Sequence, residues 1–115
     1  MKSKLENDPI VMSLIPVFLS NLQTSLEQMR EAQSSGDIKT LGRIAHSIKG
    51  SSSCYGYDEI AEVAHRMEVI CTQDLDIAEL PAMISSLVTY HAQASDTYHS
   101  GSQNVPLQPS AQASV

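Results

Sequence analysis

Apolar residues recur at helical spacing along most of the chain, and no alternating run is long enough to suggest a strand. Asp8 followed by Pro9 reads as an N-cap and a first helical residue. From there Leu14, Val17, Phe18, Leu22, Leu26 and Met29 form an apolar stripe running towards Ser34. Pro16 interrupts it. A proline inside a helix removes a hydrogen bond and clashes with the preceding turn, so the pattern predicts a short first helix, a kink or break, and a longer second helix. In "SSGD", Gly36 closes that helix as a C-cap and Asp37 opens the next as an N-cap.

The next helix, over 38–53, places Ile38, Leu41, Ala45, Ile48 and Ser52 on its core face. Gly56 in "CYGY" marks a turn whose tyrosines, Tyr55 and Tyr57, pack the end of the fold. A helix over 58–73 then buries Ile60, Ala64, Met67 and Cys71. Asp76 and Glu79 form a capping box for the last helix, which straightens after Pro81, runs to about Tyr98 and turns Leu80, Ile84, Leu87, Val88 and His91 inward. The predicted fold class is all-α, an antiparallel four-helix bundle over 8–99 with a short additional N-terminal helix. Residues 1–7 are an N-terminal extension. The unpatterned stretch ending the chain, over 100–115, is expected to be a disordered tail.

Composition narrows the function more than the fold. A chain of 115 residues holds one domain, and with 4% aromatics and no Trp its core must be aliphatic. Seven Lys and Arg against thirteen Asp and Glu give a net charge of −6, which repels phosphate backbones and disfavours nucleic acid as a partner. No unbroken apolar run approaches the roughly 18 residues of a membrane span, and the start "MKSKLENDP" lacks a secretory apolar segment; a cytoplasmic protein without a membrane partner is expected. Cys54 and Cys71 lack metal-type spacing and read as buried reduced thiols.

Candidate chemistry lies on the polar side of the helix over 38–53. Gly42, His46, Lys49, Gly50 and Ser53 fall at i, i+4, i+7, i+8 and i+11, a single face read as solvent-exposed. Each helix-interior glycine costs about 1 kcal/mol relative to alanine. Packing glycines belong on the core side, so both are read as steric clearance that lets a large partner reach His46. Lys49 stands where it can offset an anion carried on the imidazole. A neutral imidazole is a nucleophile near pH 7 without help from a triad.

The stretch "AHSIKGSSSCYGYDEIAEVAHRME", with HxxKG as His46, Lys49 and Gly50 followed by the turn glycine Gly56, resembles the signature of histidine phosphotransfer (HPt) domains. The resemblance spans roughly 8–98. It implies a phosphohistidine on His46 Nε2, Lys49 and Gly50 assisting, and Glu68 hydrogen-bonded to the nitrogen that is not phosphorylated. His65, three residues before Glu68, is a further assisting candidate. It also implies an apolar docking patch for receiver domains in the region that holds Ile10, Leu14, Ile15 and Val17; these residues are spread too widely around the helix to point inward together.

The expected function is that of a phosphorelay intermediate, which takes a phosphoryl group from one receiver's aspartyl phosphate and gives it to another receiver's aspartate. Expected partners are response-regulator receivers and a hybrid sensor histidine kinase, with the chain a monomer. It is read as a phosphocarrier without kinase activity of its own and needs no cofactor; Mg²⁺ is expected from the receiver. Two alternatives stay open. One is a metal-binding bundle using His46, His65 and Glu68, against which Lys49 argues as a neighbouring cation; the other is an adaptor that binds receivers without accepting phosphate.

Overall fold

The computed structural model describes residues 1–73 and 76–102. Four helices, α1 (Pro9–Ser35), α2 (Ile38–Cys54), α3 (Asp58–Gln73) and α4 (Leu80–Ser102), form a bundle. In it α1 packs on α2 and α4, and α3 on α2 and α4. The tail expected from residue 100 falls outside the described residues beyond 102, and 100–102 continue α4.

The short separate N-terminal helix is not present: α1 runs unbroken through Pro16. A helix-interior proline costs about 3 kcal/mol, but Ile15, Phe18 and Leu19 on either side of it are buried. Each such side chain contributes about 1.5–3 kcal/mol on leaving water. Breaking the helix would forfeit this burial, so tertiary packing overrides the local defect. Packing also sets the rotation of α1. Its core face is Ile15, Phe18, Leu19, Leu22, Leu26 and Met29, while Leu14 and Val17, expected to face inward, are 42% and 58% exposed.

The helix ends follow their local chemistry. Asp8 accepts from the backbone N–H of Ile10 and Val11, and Asp37 from that of Thr40. Gly36 closes α1 in the left-handed region at φ 74°. Asp76 accepts from Ala78 N–H and so caps a short 3₁₀ turn, Ile77–Glu79, rather than α4 itself, which begins at Leu80 and has Pro81 as its second residue. In α4, Val88 is exposed and Met83 and Ala94 are buried, while His91 is half-buried and donates from Nε2 to the Leu19 carbonyl at 3.0 Å.

Residues 3–5 lie against the α2–α3 turn, while the Met1 ammonium donates to Thr97 Oγ1 on α4 at 2.8 Å. Ser3 is buried and its hydroxyl donates to the Tyr55 carbonyl, while Lys4 N–H donates to the Gly56 carbonyl at 2.9 Å. Gly56 is needed here twice over, for its φ of 83° and because a Cβ would meet the Ser3 hydroxyl. Inside the same end, the Phe18 ring lies 5.2 Å from Tyr55 and stacks on Tyr57 at 5.3 Å.

Both cysteines are free, but Cys54 is exposed, against the expectation of two buried thiols; with Ser53 it lies on the outer side of the last α2 turn, past buried Ser52. By length and mean hydropathy, 1.3 over its best window, α1 could cross a membrane. In the bundle one side of α1 is core, and its outer side carries exposed Ser20, Asn21, Gln23 and Thr24 as well as exposed Ile10, Leu14 and Val17.

Candidate functional site

His46 stands midway along α2 because Ala45 and Ile48, on either side of it, are buried against the bundle. This turns the imidazole outward, and its side chain is 66% exposed. Across the α2–α3 interface, burial of Ala64 and Met67 in α3 brings Glu68 to the same surface. Glu68 Oε2 lies 2.7 Å from His46 Nδ1, and Glu68 Oε1 accepts from Lys49 Nζ at 2.8 Å. One carboxylate therefore bridges the histidine and the lysine. The Lys49 bond is the main reason the Glu68 carboxyl is held below the usual glutamate range; burial opposes it, and the His46 bond adds a smaller lowering effect.

An ionised carboxylate is only an acceptor, so the bond to Nδ1 requires a proton on that nitrogen. In the neutral ring the lone pair is then on Nε2. The arrangement presents a fixed, solvent-facing nucleophile backed by an anion, with a cation alongside.

The two glycines differ. A Cβ at Gly50 would meet nothing within 4 Å, whereas one at Gly42 would lie 2.9 Å from Cys71 Cβ. Gly42 is buried in the α2–α3 contact, which corrects its reading as clearance on an exposed face. Seven residues separate Gly42 from Lys49, and helical phase places the glycine at the edge of the stripe nearest α3, where only hydrogen allows the backbones so close.

His65 is not brought into the site. Its side chain is exposed, and among the described residues no hydrogen bond or ion pair ties it to His46 or Glu68. Among the described residues there is also no group of three or more His, Cys, Asp or Glu side chains that could hold a metal ion. The alternative metal set of His46, His65 and Glu68 is therefore not assembled, and its carboxylate is taken by the Lys49 ammonium.

Of the residues expected to form an apolar patch, Ile10 is 73% exposed and Leu14 and Val17 are exposed with it, but Ile15 is fully buried and belongs to the core. The periodicity of α1 allowed either rotation, and the packing of Phe18 on the two tyrosines selects this one. Sequence reading missed Lys39 and Arg43. Both line a groove between α2 and α3 together with His46, Glu68, Cys71 and Thr72. Their spacing of seven and three residues from His46 was the available signal.

Compared with protein families, the chain matches the family model described as the Hpt domain over residues 13–97. Compared with curated proteins and with solved structures, it matches none.

Proposed function

Since this chain belongs to the Hpt domain family, whose members are phosphocarriers in phosphorelays, we propose that His46 Nε2 carries the phosphoryl group here, between the aspartates of two receiver domains. The observation that supports this most directly is the 2.7 Å contact of Nδ1 with Glu68, which leaves Nε2 as the reactive nitrogen. In the transfer, the Nε2 lone pair forms a bond to phosphorus as the bond from phosphorus to the aspartyl oxygen breaks. The aspartate leaves as a carboxylate. The ring keeps its proton on Nδ1 and becomes cationic, and Glu68 stabilises that charge. Return of the group to a second aspartate is the same step reversed.

Phosphoryl transfer needs positioning and charge neutralisation more than covalent help from the protein. Lys49 supplies a cation beside the ring, Gly50 leaves room for the receiver to approach, and the receiver's own carboxylates would hold Mg²⁺. A hybrid sensor kinase is the proposed source of the phosphoryl group, and the chain acts as a monomer in the cytoplasm. Ile10, Leu14 and Val17 supply apolar docking area, since an exposed patch of this kind marks a partner surface.

The test is phosphoryl transfer from purified receivers to His46→Gln. The variant should take no acid-labile label while its helical circular dichroism is unchanged and its stability lies within about 0.5 kcal/mol of wild type. Label retained on the variant would remove His46 from its role.

A further inference from the structure

The chain has a net charge of −6, yet three of its seven Lys and Arg residues, Lys39, Arg43 and Lys49, stand on α2. The 17 residues of that helix include no Asp or Glu. Lys39, Arg43 and His46 follow at i, i+4 and i+7 and share a face, and all three are exposed along the groove between α2 and α3. Lys49 is engaged by Glu68, but among the described residues neither Lys39 nor Arg43 enters an ion pair. The carboxylate in the groove wall is Glu68, already shared by His46 and Lys49. Asp37, beside them in sequence, is occupied as the N-cap of α2. Two cations thus stand on one side of His46, on an otherwise acidic molecule, with the Asp37 carboxylate as a nearby anion but neither cation held in an ion pair among the described residues. Such a surface is complementary to an acidic partner.

Resting on the reading that His46 exchanges a phosphoryl group with receivers, we propose that Lys39 and Arg43 form a cationic shelf for the acidic rim of the receiver's phosphorylation site. Arg43 is a positioning residue that sets which receivers dock productively. Helical rise places the two cations roughly 5 and 10 Å from His46 along α2. At that reach they meet carboxylates flanking the aspartyl phosphate while Nε2 faces the phosphorus. The shelf also orients the partner. Ile10, Leu14 and Val17 lie towards the other end of α2, where Phe18 meets Tyr55 and Tyr57. The acidic rim therefore lies over the N-terminal half of α2, and apolar contact lies beyond its C-terminal half.

The experiment compares wild type, Arg43→Lys, Arg43→Glu and Lys39→Glu/Arg43→Glu in transfer from a panel of receivers charged with acetyl phosphate and Mg²⁺. Each is assayed over receiver concentration at low and high salt, with phosphoramidate as a small donor that needs no docking. At low salt the charge reversals should raise the half-saturating receiver concentration about tenfold, leave the saturating rate within about twofold, and converge on wild type as salt screens the contact. Arg43→Lys should behave as wild type, and phosphoramidate labelling should be unchanged in all four. Half-saturation that is unaltered, or altered equally at all salt concentrations, overturns the shelf while leaving the phosphotransfer reading in place. A wild-type chain labelled neither by receivers nor by phosphoramidate overturns that reading and the shelf with it.

Discussion

At the scale of single residues, the Glu68 carboxylate joins the two functions of the site, fixing the His46 tautomer and pairing with Lys49. Glu68→Gln keeps an acceptor for Nδ1–H but removes the charge that, on the proposed mechanism, stabilises a phosphorylated ring. Transfer should slow by about tenfold, the size of one charge-assisted hydrogen bond, with little change in receiver affinity. The same substitution has a signature in pH. The folded value of Glu68 is depressed, chiefly by Lys49. Its contribution to stability is therefore fully present above the ordinary glutamate value of about 4.3 and is lost as pH falls through the lower folded value. Melting curves of wild type and Glu68→Gln should differ by a constant amount near neutrality and converge in strong acid. A difference that persists there would assign the effect to packing instead of charge.

At the scale of an element, α2 is a helix with a glycine on either side of His46, and substitutions at the two should act in opposite directions. Gly50→Gln adds helix propensity in open space, so the melting temperature should rise by the equivalent of up to about 1 kcal/mol. Transfer from receivers should slow, because the new side chain occupies their approach. Gly42→Ala gains the same propensity but drives a Cβ to 2.9 Å from Cys71 Cβ. Overpacking of about 1–3 kcal/mol should outweigh the gain and lower the melting temperature. Thermal melts alongside transfer rates check both, and equal shifts at the two positions would show that the α2–α3 contact does not discriminate between them.

At the scale of the whole molecule, the bundle decides which apolar residues of α1 are buried and which are left exposed. Ile15→Asp places a charge at a fully buried site and should cost more than about 4 kcal/mol, a large share of the stability of a small domain. The cooperative melt should be lost or fall steeply. Leu14→Asp, one residue away and 42% exposed, should fold with a melt close to wild type. If the patch docks receivers, it weakens their binding and spares labelling by phosphoramidate. Calorimetry and a receiver titration on the same two variants separate the roles; normal folding of Ile15→Asp would contradict the core described for α1.

Much of this was legible in the sequence, because capping and periodicity are local. Asp8, Gly36 and Asp37 act within a few residues of themselves, as does the left-handed turn at Gly56, whose contact with Ser3 is by contrast long-range. The exposed histidine, with a cation one turn later, was equally local. What only the tertiary structure decided depends on a second helix. Pro16 reads as a break until the burial of its neighbours is counted, and Ile15 and Leu14 exchange roles with a rotation that only α1's partners fix. Gly42 and Gly50 look alike on a helical wheel, and only the nearness of Cys71 tells them apart. Spacing gives His65 and Glu68 equal standing on α3, yet only the approach of α3 to α2 carries Glu68 to His46 and leaves His65 in solvent.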